Sequence, residues 1–164
     1  MKKYKFTDEV KIVAGVTLRR IRALTNFGDV EKGALGGWIE KEENLTQDGN
    51  AWVSGNAEVS GDARVSGDAW VFSNAWVSGN AWVFGNAHIL VIGRVGSRNG
   101  FTTFFRDKNK KISVVCGCFL GTIEEFRKKV KETHGTDTKF AKVYQMAADL
   151  AEVQIELKGD NKYE

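Results

Sequence analysis

Residues Gly49–Leu90 have the sequence GNAWVS GNAEVS GDARVS GDAWVF SNAWVS GNAWVF GNAHIL. These seven hexapeptides share the pattern Gly-[Asn/Asp]-Ala-x-Val-x, from which Ser73 and Ile89 each depart once. Side chains alternate along a strand, so the alanine and valine of a repeat point to one face and the residue between them to the other. Gly-Asn and Gly-Asp are turn sequences, because both residue types tolerate positive φ. Each repeat therefore predicts a short strand and a corner.

A chain that turns the same way every six residues stacks its strands in parallel, and such a repeat predicts a solenoid. The motif resembles the left-handed parallel β-helix of hexapeptide-repeat proteins, in which three hexapeptides close one coil. The resemblance implies a mainly β fold with a short β-helix of about three coils. Its interior would hold Val53, Val59, Val65, Val71, Val77, Val83 and Ile89, and Ala51, Ala57, Ala63, Ala69, Ala75, Ala81 and Ala87. The resemblance implies little about function, since one fold supports many activities.

In this register the residues between alanine and valine form outward columns. The predicted columns are Trp52, Trp70 and His88; Glu58, Trp76 and Arg94; and Arg64 and Trp82. Contiguous exposed aromatic residues mark protein interfaces, and the resemblance to hexapeptide-repeat proteins implies a trimer. We therefore expect a homotrimer with an interface formed by Trp52, Trp70, Trp76, Trp82 and His88. The alternative is that the tryptophans only cover the surface of the coils.

The repeats divide the chain into three predicted parts, namely an N-terminal β cap over residues 1–36, the β-helix over 37–96 and an α+β domain over 97–164. Alternating residues at Tyr4–Thr7, Val10–Val13 and Val16–Leu24 predict strands, with a hairpin turn at Ala14-Gly15. From Gly37 the repeat continues in degenerate form. We expect Ile39 and Leu45 to occupy the alanine positions of an irregular entry coil.

The C-terminal part predicts a β-hairpin and two helices. Phe101–Arg106 and Lys111–Cys116 form the hairpin strands. Thr122 and Glu125 form a capping box at the start of the first helix. The second helix is predicted from about Thr138 to Leu157, and its apolar stripe is Phe140, Val143, Ala147, Leu150 and Ala151.

Three segments of the chain resemble a group of small phage and prophage proteins. They are TLRRIRALTNFGDVEKGALGGWIEKEENL, the GNAWV repeats and GSRNGFTTFFRDKNKKISVVCGCFLGTIEEFRKKVKETHG. The resemblance covers nearly the whole chain. It implies a viral or prophage origin and a β-helix capped by an α+β C-terminal domain.

The composition excludes several classes of protein. The chain is 42% hydrophobic and 27% charged, and it contains no apolar run of the roughly 18 residues that a membrane span needs. The basic N-terminus lacks the apolar segment of a signal peptide, so we expect a cytoplasmic protein of an infected bacterial host, without a membrane partner. Cys116 and Cys118 lack further ligands within one chain, and we predict neither a metal nor a cofactor; zinc shared around a threefold axis is the alternative.

Positive charge concentrates after the repeats, where residues 91–135 hold 10 Lys and Arg against 4 Asp and Glu. Arginines make bidentate contacts to phosphate, hydroxyls add donors and aromatic rings can stack on a base. The predicted ligand-binding residues are Arg94, Ser97, Arg98, Asn99, Thr102, Thr103, Phe105, Arg106 and His134. The alternative is that the phenylalanines are core and the arginines are solvated. Nucleic acid is less favoured, because the rest of the chain is nearly neutral and no binding motif occurs.

These patterns leave three functional hypotheses. The leading one is a non-enzymatic phage trimer that sequesters a small phosphorylated, nucleotide-like ligand, such as an immune signal of the host. The second comes from the hexapeptide resemblance, which implies an acyltransferase that uses acetyl-CoA or an acyl carrier, with His88 as general base. The third is a structural trimer or an inhibitor of a host protein.

Overall fold

The computed structural model describes residues 1–158. An N-terminal hairpin, β1 (Tyr4–Val13) and β2 (Val16–Ala23), turns at Ala14-Gly15 as predicted. Strand β2 pairs antiparallel with β3 (Leu35–Ile39), which begins the parallel part of the molecule by pairing with a strand of the repeats. The hairpin is therefore continuous with the repeat region and lies against its side.

The repeats form six strands of two residues each, which we call the repeat array. They are β4 (Trp52–Val53), β5 (Glu58–Val59), β6 (Arg64–Val65), β7 (Trp70–Val71), β8 (Trp76–Val77) and β9 (Trp82–Val83). Val53 pairs in parallel with Val71, Val59 with Val77 and Val65 with Val83. The predicted stacking of every third repeat is thus confirmed.

The interior of the repeat array is filled by its two small residue types. Ala51 and Val53 are fully buried, and so are their equivalents through Ala81 and Val83, with at most 1% exposure. Backbone bonds join successive layers, for example from the Trp52 N–H to the Ala69 carbonyl at 3.0 Å. These alanine and valine side chains belong to one continuous hydrophobic core that runs through the array.

The entry into the repeat array corrects one prediction. Ile39 pairs with Val59 and Leu45 with Val65, so both occupy valine positions and not the alanine positions that we expected. The two additional residues of the entry layer lie between Leu45 and Val53, which are eight residues apart, whereas Ile39 and Leu45 keep the six-residue spacing with the short 3-10 turn Glu42–Asn44 between them. The buried Asn44 amide stabilises this turn by donating to the Gly61 and Ala63 carbonyls at 3.1 and 2.9 Å.

The seventh repeat leaves the array, which corrects the predicted boundary at residue 96. Asn86–His88 forms a short 3-10 turn, and β10 (Ile89–Val95) then pairs antiparallel with β11 (Gly100–Arg106). The Trp70 N–H consequently donates to the Asn86 side chain at 2.9 Å. His88 and Arg94 therefore do not continue the columns of the array as predicted.

The C-terminal domain is a four-stranded antiparallel sheet covered by two helices. Its strands follow the order β10, β11, β12 (Ile112–Cys116) and β13 (Phe119–Thr122), and its helices are α1 (Ile123–His134) and α2 (Lys139–Gln154). One face of the sheet closes the end of the repeat array with Phe105 and Val115, while Phe104 and Val114 on the other face pack against the helices. The predicted capping box is confirmed, with the Glu125 N–H donating to Thr122 Oγ1 at 3.2 Å.

Helix α2 begins after Thr138 as predicted, and its buried face shares Ala147 and Ala151 with the predicted stripe. The buried residues are Ala141, Tyr144, Ala147, Ala148 and Ala151. Phe140 and Leu150 of the predicted stripe are 38% and 48% exposed. Small alanines allow α2 to approach the sheet closely, and the larger apolar residues are left on its outer side. Neither helix within residues 1–158 has the length and apolar character needed to cross a membrane.

Candidate functional site

A cavity of about 370 Å³ lies between the two helices and the face of the C-terminal sheet that packs against them. It opens beside the loop that connects β10 to β11 and beside the turn at Gly117. The lining residues are Val95, Ser97, Arg98, Gly100, Phe101, Thr102, Cys116, Gly117, Cys118, Phe119, Phe126, Lys129, Val130, Thr133, His134 and Tyr144. All four strands and both helices of the domain contribute residues to this lining.

Aromatic rings form the walls of the cavity. Phe126 of α1 contacts Phe119 with ring centroids 5.6 Å apart, and Tyr144 of α2 at 5.7 Å. The His134 ring stacks on Tyr144 at 5.6 Å with an interplanar angle of 27°. These contacts hold the rings in fixed positions, so the cavity presents rigid flat surfaces to a ligand.

Tyr144 lines the cavity, and its hydroxyl occupies the space that Gly96 leaves by having no side chain. A Cβ at Gly96 would clash with this hydroxyl, and Gly96 also has a positive φ of 79°. Burial raises the pKa of Tyr144, and the neighbouring Cys116 raises it further, whereas a hydrogen bond from Ser97 lowers it. Nearby, the Thr102 hydroxyl donates to Cys116 Sγ at 3.2 Å. Tyr144 is therefore a neutral hydroxyl at physiological pH and can donate to an acceptor.

The mouth of the cavity is basic. Arg98 and Lys129 are exposed and His134 is half-buried. No aspartate or glutamate occurs among the described residues that line the cavity. An anion that enters would meet two permanent positive charges and no like charge, and loop amides at Gly117 and Ser97 could add donors.

The structure brings four of the predicted ligand residues to this cavity, namely Ser97, Arg98, Thr102 and His134. Thr103 and Phe105 were predicted beside Thr102 but point to the opposite face of the sheet, because neighbours in a strand alternate. Thr103 Oγ1 accepts from the Trp76 N–H at 3.1 Å, and Phe105 is fully buried in the core of the repeat array.

The remaining predicted ligand residues also lie outside the cavity. Arg94 and Asn99 are exposed on the connection between β10 and β11 without lining it. Arg106 is only 1% exposed, and its guanidinium lies 5.8 Å from the centre of the Phe84 ring. Strand β11 ends against the repeat array at this point, which places Arg106 in the interior and corrects its assignment.

Sequence reasoning missed the part of the cavity that the helices provide. Phe126, Lys129, Val130 and Thr133 lie on one side of α1, and Tyr144 comes from α2. The spacing of three, four and seven residues on α1 is the signal that marks one helical face. Sequence alone did not indicate that this face would lie over the hairpin.

The predicted oligomer interface is divided among different environments. Trp52 is 2% exposed and packs edge-on against Phe27 at 5.4 Å and Tyr4 at 6.4 Å. The N-terminal hairpin thus covers it, and Trp52 is not an exposed interface residue. Trp76 is half-buried beneath β11.

Trp70 and Trp82 remain half-exposed on the repeat array. The Trp70 indole N–H donates to Ser54 Oγ at 2.9 Å, and the Trp82 ring contacts Phe84 at 5.6 Å. Arg64, Trp82 and Phe84 border an open groove on the repeat array, together with residues of the entry layer such as Glu42 and Gln47. Whether these residues contact another subunit stays a prediction.

His88 lies at the junction between the repeat array and the C-terminal domain. The Phe84 N–H donates to its Nδ1 at 3.2 Å. Burial lowers the pKa of His88, and the positive charge of Arg106 lowers it further, against a smaller opposing effect of Glu156. The imidazole is therefore neutral at pH 7, and its proton is on Nε2 because Nδ1 is an acceptor.

The thiols of Cys116 and Cys118 are both free. Within residues 1–158 no group of three or more His, Cys, Asp or Glu side chains is placed to hold a metal ion.

Comparison with known proteins gives one partial similarity. The chain is 38% identical over 61 residues to a protein of Escherichia coli strain K12 named uncharacterized acetyltransferase YdcK. The match covers 32% of this chain and 19% of the E. coli protein, so the chain spans about a fifth of that protein's length. No family model matches the chain. The chain is thus a β protein with hexapeptide repeats that is distantly similar, over part of its length, to an acetyltransferase.

Proposed function

We propose that this protein binds and retains a small anionic ligand in the cavity of the C-terminal domain. The repeat array is on this view a left-handed parallel β-helix of about three coils, which serves as a scaffold. The observation that carries the proposal is the lining of the cavity, which combines rigid aromatic walls with Arg98 and Lys129 and lacks a carboxylate. Its volume of about 370 Å³ falls within the roughly 300–1,000 Å³ typical of ligand pockets.

The same lining favours a ligand with both a flat ring and a phosphate. The half-buried rings of Phe101, Phe119 and His134 offer stacking surfaces, while Arg98 and Lys129 attract the anionic group. A nucleotide or cyclic nucleotide meets both requirements. Retention without reaction is part of this proposal, and it needs a test of its own because His134, Cys116 and Cys118 also line the cavity. We further propose that the ligand is a nucleotide signal of the host and that the protein is of phage origin. Only the resemblance to small phage and prophage proteins supports these two points.

Isothermal titration calorimetry tests the proposal with cyclic mononucleotides, ADP-ribose and adenosine. We expect the phosphorylated compounds to bind and adenosine to bind at least tenfold more weakly, about 1.4 kcal/mol, because it lacks the anionic group. Arg98→Ala should weaken binding by a similar factor. Arg94→Ala is the matched control, since Arg94 is a neighbouring exposed arginine outside the cavity. Absence of binding across the panel, or equal loss in both variants, contradicts the nucleotide proposal. Recovery of the ligand unchanged after incubation distinguishes retention from hydrolysis.

The partial similarity to an E. coli acetyltransferase favours acyl transfer as the second candidate. The state of His88 argues against that histidine as the base, because its free nitrogen is the protonated Nε2 and Nδ1 already accepts a hydrogen bond. Acetyl-CoA binding with turnover that His88→Asn abolishes would support this candidate over the first. Acetyl-CoA binding that competes with nucleotides, without turnover, would instead identify the cavity as an anion site.

A further inference from the structure

Helix α2 carries a second apolar stripe that the fold leaves uncovered. It consists of Met146, Leu150 and Val153, which are exposed, and of Val143, which is half-buried; we call these four residues the outer stripe. Met146 is 68% exposed, Leu150 is 48% exposed and Val153 is 86% exposed. These residues lie away from the alanine face that packs on the sheet. An amphipathic helix normally exposes charged residues here, so the outer stripe needs a partner.

The spacing of the outer stripe identifies the partner as another helix. Successive members are three, four and three residues apart, as in the a and d positions of a coiled coil, where side chains insert between those of a facing helix. Helix α1 cannot serve, because its own apolar residues Ile123, Phe126 and Val130 are buried in the same domain. Within residues 1–158 the helix with a free stripe of this spacing is α2, so the matching surface is α2 of a second copy.

The charges beside the outer stripe determine the orientation. Lys139 and Lys142 are in the first half of α2, whereas Asp149 and Glu152 are in the second half and Glu156 follows it. Two parallel helices would bring like charges together. Two antiparallel helices bring the basic half of each beside the acidic half of the other. Layers then form between Val143 and Val153 and between Met146 and Leu150 of the opposing copies.

We propose that two copies of this chain associate through their outer stripes as antiparallel α2 helices about a twofold axis. Arg127 already neutralises the carboxylates nearest the axis, since it contacts Asp149 and Glu152 at 2.8 Å. Lys142 is paired with Asp137 at 2.8 Å, whereas Lys139 and Glu156 are exposed and form no salt bridge with another residue of the described chain, so these two are available across the interface. A four-residue stripe offers less surface than the roughly 1,200–2,000 Å² that a standard interface buries, and the dimer is expected to dissociate in the range of about 1–100 µM.

Sedimentation velocity of the full-length chain between about 1 and 200 µM tests this association. We expect a shift from one to two subunits across that range. Met146→Glu combined with Val153→Glu should abolish the shift at all concentrations, with unchanged circular dichroism because both side chains are exposed. Phe72→Glu is the matched control; Phe72 is also an exposed apolar residue, at 54%, but it lies on the repeat array. Loss of the dimer in the control alone would overturn the proposal.

Charge reversal tests the antiparallel orientation. Lys139→Glu should weaken the dimer about fivefold, and Glu156→Lys should do the same, because each places like charges together twice in a symmetric pair. The double variant should recover the affinity of the original chain. A double variant as weak as the singles would exclude the antiparallel pairing. A constant monomer would exclude the association, and a three-subunit mass would favour the trimer expected from the tryptophan columns.

Discussion

The repeat array and the C-terminal domain are joined end to end, but their interiors are packed differently. In the array each layer repeats the same inward alanine and valine, and these side chains are at most 1% exposed through Val83. In the C-terminal domain the sheet has one face against the array and another against the helices, with a cavity of about 370 Å³ beneath the second. Strict repetition fills space uniformly, whereas a hollow requires neighbours that differ. The cavity is accordingly lined by residues of different size and from different elements, such as Phe101, Lys129 and Tyr144.

The largest expected effect is on the stability of the array. Leu45→Ala removes a fully buried side chain in the entry layer and should lower the free energy of unfolding by about 3 kcal/mol. Urea denaturation measures this change. Leu120→Ala is the control, because Leu120 is 52% exposed on the C-terminal sheet, and its effect should stay within about 0.5 kcal/mol. Equal losses would mean that the two regions are packed alike.

A second substitution separates the cavity from the array. Gly96→Ala places a methyl group where the Tyr144 hydroxyl lies and adds strain at a φ of 79°. We expect the affinity for the tightest nucleotide of the panel to fall at least tenfold, about 1.4 kcal/mol. Gly85→Ala serves as the control, since nothing lies within 4 Å of its Cβ position. Unchanged affinity in a folded Gly96→Ala protein would remove Tyr144 from the site.

A buried lysine beside the repeat array makes the stability of the protein depend on pH. Lys3 is 4% exposed and donates to the Ala51 carbonyl at 2.8 Å. Burial lowers its pKa from 10.5 to about 8, against a smaller opposing effect of Asp48. Between these values the unfolded chain binds the proton and the folded chain releases it, so stability should rise as the pH increases from 8 to 9.5, by roughly 1 kcal/mol.

Thermal denaturation at several pH values measures this rise. Lys3→Met should remove it, whereas Lys131→Met, on the exposed side of α1, should leave it in place. A rise that persists without Lys3 would assign the effect to another group.

The smallest expected effect comes from a substitution that restores the regular repeat. Ser73 stands where the other repeats have glycine and adopts a φ of 63°. A side chain in this conformation costs about 1–2 kcal/mol, which exceeds the entropic cost of glycine by roughly 0.5 kcal/mol. Ser73→Gly should therefore raise the free energy of unfolding by about 0.5 kcal/mol. Ser78→Gly, at a position without positive φ, should lower it. Equal signs would show that corner strain is not what distinguishes Ser73.

The sequence predicted best where its pattern repeats. The strand pairing of the array, the N-terminal hairpin, the Phe101–Arg106 strand and the Thr122 capping box all follow from local spacing, and the structure confirms them. Of the predicted ligand residues, Ser97, Arg98, Thr102 and His134 line the cavity, and their binding of a ligand stays a prediction. The composition of the segment does not distinguish Thr103 and Phe105 from Thr102. Because side chains alternate along a strand, these two residues lie on the face of the sheet opposite the cavity.

By itself the sequence determined the interior of the array, because a six-residue period leaves one way to bury its alanines and valines. Tertiary packing alone decided which outward residues remain exposed. Trp52 and Trp82 occupy equivalent positions in the repeat. The hairpin buries Trp52, whereas Trp82 remains half-exposed among the described residues. Helix α2 gives the same lesson, since both of its apolar stripes have helical spacing and only contact with the sheet selected the alanine side. Periodicity specifies which residues share a face, whereas burial of that face depends on distant parts of the chain.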